Sequence, residues 1–67
     1  MPEQNTDMHR AALLLAFQKN EITEYHIYTK IAAVTPEPGN RDVLMRTAQE
    51  KLGHYHILRR HTGQNVE

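Results

Sequence analysis

The chain has 67 residues, enough for one small domain (residues 1–67) whose core supplies no more than about 3–5 kcal/mol unaided. Eight basic and eight acidic residues cancel, and there is no cysteine, so the composition favours neither nucleic acid nor an anionic membrane as a partner and excludes disulfides and thiolate metal sites. Added stability must therefore come from self-association or from a metal held by nitrogen and oxygen ligands.

The first predicted element is one long helix. No glycine or proline interrupts the chain between Pro2 and Pro36, and Thr6 and Asp7 offer capping oxygens, which predicts a helix from about residue 7 to 34. Its apolar run, residues 11–17, is far shorter than the ~20 residues that span a bilayer, and acids precede it instead of a basic cluster. We therefore expect no membrane insertion, no secretory signal and a cytoplasmic location.

Two carboxylates interrupt the apolar seam of this helix. Steps of three and four residues give a seam of Leu14, Phe17, Glu21, Glu24, Tyr28 and Ile31. Neither Glu21 nor Glu24 has a lysine or arginine three or four residues away, so no pairing within the helix explains them. Since a buried carboxylate is costly without a positive partner, a metal, a lysine or a histidine is expected from another helix.

A turn and a second helix follow. Residues 35–40 contain two prolines and a glycine, which end the first helix and form a short connection. Asn40 is the expected cap of a second helix over about 41–62, and Gly63 is its expected stop. The seam of this helix reads Leu44, Thr47, Lys51, His54, Leu58 and His61. The sequence thus predicts an all-α, antiparallel helical hairpin.

One hairpin leaves apolar residues off both seams. These residues are Leu15, Ile22, Met45 and Leu52. A second copy of the chain is expected to cover them, which predicts a homodimer built as a four-helix bundle.

The polar middles of the two seams are expected to meet. With the turn near residue 37, Glu21 and Glu24 fall level with Gly53 and Lys51, and His54 is close by. A two-fold axis would gather two copies of each side chain near one point. Carboxylates and imidazoles on facing helices are the ligands of di-iron and di-manganese sites.

Two stretches and a tail carry a resemblance to a known family: residues 17–28 (FQKNEITEYHIY), residues 48–58 (AQEKLGHYHIL) and residues 61–66 (HTGQNV). Over these residues the chain resembles the rubrerythrin-like branch of the ferritin-like superfamily, including its short two-helix, dimerising members and the ferritin-like modules of some membrane iron transporters. The resemblance implies a ferritin-like four-helix bundle that binds iron, with ferroxidase or peroxidase chemistry. A family glutamate from the first helix maps onto Glu21, and the histidine of a Glu-x-x-His pair maps onto His54. Lys51 stands where the family has the second glutamate.

Two functions stay open because of Lys51, whose ammonium has no lone pair to give a metal and so could replace the metal's charge. In the first, Glu21, Glu24 and His54 bind iron or manganese. In the second, the chain is a metal-free structural or dimerisation domain in which Lys51 pairs with Glu21 or Glu24, and no cofactor is needed.

The remaining candidate is Glu50, which is weaker as a ligand because it follows Arg46 by four residues, a spacing that favours a surface ion pair. A hydrolytic triad has no support, since the chain contains neither serine nor cysteine. Whether the protein is an enzyme stays open at this point.

Overall fold

The protein folds as a hairpin of two α-helices, described by a computed structural model that covers the backbone of residues 2–66 and the side chains of residues 8–66. Helix α1 spans Pro2–Ala33 and helix α2 spans Pro38–Thr62, and no strand occurs within residues 2–66. The hairpin measures 55 × 16 × 15 Å. The predicted all-α hairpin is confirmed. No helix in this range is long and apolar enough to cross a membrane, and the cytoplasmic location stays a prediction.

Helix α1 begins at Pro2 and not near residue 7. The predicted cap at Thr6 and Asp7 is therefore wrong, because both residues lie inside the helix. Proline suits the first turn of a helix, since its missing N–H would be unpaired there and its φ is already helical. With no breaker between residues 2 and 7, the helix extends back to that proline.

Helix α1 ends where its hydrogen bonds tighten before the turn. The N–H groups of Val34 and Thr35 donate to the carbonyls of Ile31 and Ala32, at 3.2 and 3.1 Å, in the i to i−3 pattern of a closing turn. Arg41 Nε then donates to the Thr35 carbonyl at 3.1 Å across the connection. The first turns of α2 thus brace the end of α1.

Helix α2 begins at Pro38, and its cap is Glu37 instead of the predicted Asn40. The Glu37 carboxylate accepts hydrogen bonds from the N–H groups of Gly39, at 2.9 Å, and Asn40, at 2.7 Å. A proline directly after the cap fits the first helical position, which places Asn40 inside the first turn.

The predicted stop at Gly63 is confirmed. Gly63 has a φ of 70°, and its N–H donates to the Arg59 carbonyl at 2.8 Å, as in a left-handed helix end. The chain then crosses back to α1, where Gln18 Nε2 donates to the Gln64 carbonyl at 2.6 Å. Gln18 Oε1 accepts from Thr62 Oγ1 at 2.6 Å. The fully buried Gln18 amide is thereby paired at both ends, and it holds the C-terminal segment 63–66 against α1.

The core between the helices is small, and it differs in phase from the predicted seam. Its buried apolar residues are Ile22, Ala32, Ala48 and Tyr55. Phe17 and Ile31, both assigned to the seam, are instead 55% and 44% exposed, while Ile22 was expected to lie outside it. Apolar residues occur on two neighbouring faces of α1, so a period near 3.5 fits either face as the one that packs on α2. The small side chains of Ala32 and Ala48 favour the observed face, because they let the two helices approach closely.

The other three residues predicted to lie off the seam remain partly accessible. Leu15 and Leu52 are half-buried, and Met45 is 37% exposed. Residues from the predicted seams, among them Phe17, Glu21 and His54, instead border one groove along a side of the hairpin that no other element covers within the described residues. We refer to this side as the open side.

Candidate functional site

Four side chains from the two helices form a polar cluster halfway along the hairpin: Glu21, Glu24, Lys51 and His54. Lys51 Nζ lies 3.0 Å from Glu24 Oε2 and 3.9 Å from Glu21 Oε1. His54 Nδ1 lies 2.7 Å from Glu21 Oε2. The predicted meeting of Lys51 with Glu21 or Glu24 is confirmed, and it occurs within one hairpin.

Helix periodicity positions the polar cluster. Glu21 and Glu24 are three residues apart on α1, and Lys51 and His54 are three residues apart on α2, so each pair projects from one face of its helix. Because the helices run antiparallel, Glu21 meets His54 and Glu24 meets Lys51. The result is a chain of contacts from Glu24 through Lys51 and Glu21 to His54.

The polar cluster is partly withdrawn from water. The Glu21 side chain is 15% exposed, whereas that of His54 is 60% exposed. The hydrogen bond to Glu24 raises the pKa of Lys51 above its ordinary value; partial desolvation opposes this effect and the charge of Glu21 adds to it. Lys51 is therefore a cation throughout the neutral range, and it offsets one of the two carboxylate charges.

The contact between His54 and Glu21 fixes the tautomer of the imidazole. An ionised carboxylate only accepts hydrogen bonds, so the Nδ1–H group of His54 donates the hydrogen bond to Glu21 Oε2. In the neutral ring, the lone pair then belongs to Nε2. The nitrogen that faces Glu21 consequently has no lone pair for a metal in this arrangement.

A groove of about 360 Å³ lies beside the polar cluster on the open side. It is lined by Phe17, Asn20, Glu21, His54, Ile57 and Leu58. Phe17 and Ile57 are both more than half exposed, so each helix contributes an accessible apolar side chain to the groove.

The side chains of a single hairpin do not fit an iron site. Among residues 8–66, no three carboxylate or imidazole groups lie close enough together to hold one ion. The structure brings Glu21 and His54 into contact, but Glu24 is turned toward the Lys51 ammonium. Two donors beside a cation cannot replace the glutamates and histidines that such sites use.

Glu50 lies outside the polar cluster. It is exposed, and within the described part of the chain it forms neither an ion pair with a member of the cluster nor the predicted ion pair with Arg46. That predicted pair is therefore wrong for this conformation. An i, i+4 pair on a solvated helix is worth only ~0.3–0.5 kcal/mol, too little to hold two long side chains in one geometry.

The sequence analysis does not single out two further polar residues. Asn20 lines the groove, and Gln18 is fully buried between α1 and the C-terminal segment. Gln18 has a sequence signal, because it is seven residues from both Ala11 and Tyr25 and so shares their helix face. An amide on such a face indicates a buried hydrogen-bonded contact.

Comparison with protein-family models, with curated proteins and with solved structures gave no match for this chain. The rubrerythrin-like, ferritin-like resemblance therefore stays a prediction, and the function is argued from the geometry above.

Proposed function

We propose that the chain is a self-associating structural module: a helical hairpin that forms a homodimeric, ferritin-like four-helix bundle without a metal. The observation that carries this proposal is the 3.0 Å contact between Lys51 and Glu24. The ammonium stands at the position where the resembled family has a glutamate, and it supplies positive charge to the acids of the open side. A dimer can then close over this side without a metal ion to balance both carboxylates.

The exposed apolar side chains support the self-association. Leu13, Phe17, Ile27, Ile31, Val43 and Ile57 are between 42% and 57% exposed in the single hairpin. A chain of this size with so few buried apolar residues gains most by covering that surface with a second copy. We also propose that the protein is located in the cytoplasm, as the sequence analysis expects.

Sedimentation of the chelator-treated protein tests the proposal. We expect a dimer at micromolar concentration whose dissociation constant is the same with EDTA and with added Fe²⁺ or Mn²⁺. A folded monomer throughout that range would contradict the proposal. Dimerisation that occurs only with added metal would contradict its metal-free part.

A second candidate function is binding of iron or manganese at the dimer axis, with ferroxidase- or peroxidase-type activity as the implied class. The observation that favours it is the 2.7 Å contact of Glu21 with His54, two potential ligands side by side on the open side. A second copy would have to supply the missing donors, and Lys51 would have to withdraw. Metal content after anaerobic loading with Fe²⁺ or Mn²⁺ tests it: at least one ion per dimer supports this candidate, and none after gel filtration contradicts it.

A further inference from the structure

Four of the exposed large apolar side chains of α1 lie along one line, together with Val34 just beyond the end of the helix. Alternating steps of four and three residues connect Leu13, Phe17, Asn20, Glu24, Ile27, Ile31 and Val34, which we name the α1 stripe. Its five large apolar members are all exposed in the hairpin. This spacing is the a/d pattern by which two helices pack side by side.

The matching line on α2 is much more polar. Its members, in the same steps, are Val43, Thr47, Glu50, His54, Ile57 and His61. Both lines border the groove on the open side, since Phe17 and Asn20 line it from α1 and His54 and Ile57 line it from α2. Because only Val43 and Ile57 are apolar in this line on α2, the α1 stripe is the surface that most needs a partner.

We propose that two copies associate through their α1 stripes, antiparallel to one another, about a two-fold axis level with Ile22; this inference rests on the proposed self-association and specifies its register. In this register Leu13 packs on Ile31 of the second copy and Phe17 packs on Ile27 of the second copy, while Val34 lies beyond the paired part of the stripe. At the centre, Asn20 faces Glu24 of the second copy. A two-fold axis makes each of these contacts twice.

The central polar residues select this register. Glu24 already accepts a hydrogen bond from Lys51 through Oε2, and its remaining lone pairs can accept from the Asn20 amide of the second copy. A shift by seven residues in one direction would press Glu24 against Leu13, and a shift in the other would press it against Ile27. Either shift buries a carboxylate against an aliphatic side chain, which is costly.

A parallel arrangement is disfavoured for an electrostatic reason. It would place every member of the α1 stripe against its own copy, so that the two Glu24 carboxylates would face each other. Like charges at such short range repel, and the cost rises as the interface excludes water. The antiparallel register instead separates the two acids and gives each an amide partner.

Disulfide trapping tests the register directly, because the chain contains no cysteine. Leu13→Cys and Ile31→Cys are made as separate variants, mixed in equal amounts and oxidised. We expect a cross-linked heterodimer in the mixture and none from either variant alone, since like positions would lie about 27 Å apart along the axis at 1.5 Å per residue. Phe17→Cys mixed with Ile27→Cys is a second pair with the same expectation.

Lys19→Cys provides the matched control, because Lys19 is exposed on α1 but lies off the stripe. Mixed with Leu13→Cys, it should give no heterodimer above the level of the unmixed proteins. Circular dichroism and sedimentation of the reduced variants confirm that each still folds and associates.

The outcomes separate the register from self-association. A mixture that fails to cross-link while the reduced variants sediment as dimers overturns the register and leaves self-association intact. Cross-linking of Leu13→Cys with itself overturns the antiparallel arrangement. A chain that sediments only as a monomer overturns both proposals.

Discussion

Lys51 Nζ lies 3.0 Å from Glu24 Oε2, so a cation of α2 is paired with an acid of α1 before any second copy arrives. The same ammonium is 3.9 Å from Glu21. One lysine thus serves two carboxylates that have no cationic neighbour on their own helix. This relationship decides which substitutions best distinguish the two candidate functions.

Replacing Lys51 with methionine should weaken both the hairpin and the dimer, because it leaves Glu24 and Glu21 without the cation that they share. The double variant Lys51→Met with Glu24→Gln should recover much of the loss. Thermal melting and the sedimentation dissociation constant, combined in a double-mutant cycle, measure the coupling. Lys19→Met, which removes an exposed lysine outside the polar cluster, is the control and should change little. A coupling of zero between Lys51 and Glu24 would show that the contact does not stabilise the fold.

Replacing Lys51 with glutamate should raise the binding of Fe²⁺ or Mn²⁺, since it adds a carboxylate ligand beside His54 and removes the competing ammonium. Without metal, the variant should be less stable than the parent chain, because three acids then share one region. Metal content after loading and gel filtration, together with melting curves in EDTA, checks both expectations. Metal binding no higher than in the parent would show that positions 51 and 54 are not arranged as a ligand pair.

The contribution of the Lys51 pair to the stability of the parent chain should change with pH only in the alkaline range. The pKa of Lys51 is raised in the folded chain relative to its ordinary value of 10.5, so the pair stabilises the fold fully below that pH. Its contribution is lost as the pH rises through the folded pKa. The difference in melting temperature between the parent and Lys51→Met should therefore be constant from about pH 7 to 9.5 and shrink above about pH 10.5. A difference that shrinks below pH 9 would contradict this assignment.

Replacing Gly53 or Gly63 with alanine should change the stability of the chain in opposite directions. A Cβ at Gly53 meets nothing within 4 Å, so Gly53→Ala should stabilise the chain by about 1 kcal/mol through helix propensity. Gly63 has a φ of 70°, so Gly63→Ala should destabilise it by about 1–2 kcal/mol. Urea unfolding measures both. Loss of stability in Gly53→Ala would indicate that another chain packs closely on α2 at that point.

The sequence predicts the hairpin well because it contains clear helix-ending residues. Prolines around residues 36–38 and Gly63 end the helices where expected, and equal distance from the turn correctly brings Lys51 level with Glu24. The phase of the seam is not predictable in the same way. Apolar residues occur at both neighbouring phases of α1, and which one faces α2 depends on how closely Ala32 and Ala48 let the helices approach.

Other features depend on contacts distant in the sequence. Gln18 meets Thr62 and Gln64, which are 44 and 46 residues away, and no local pattern connects them. The tautomer of His54 likewise follows from its distance to Glu21, which only the packed helices determine. Helix periodicity could therefore identify the members of the polar cluster but not their hydrogen bonds.

The buried Gln18 amide also determines the direction in which the chain leaves the hairpin. Because Gln18 holds the Gln64 carbonyl against α1, residues 64–66 do not continue along the axis of α2. A fluorescent protein or affinity tag joined after residue 66 would emerge sideways, next to the first half of α1. Its linker should be long enough to lead the tag away from Leu13 and Phe17, or the tag itself would hinder the approach of a second hairpin.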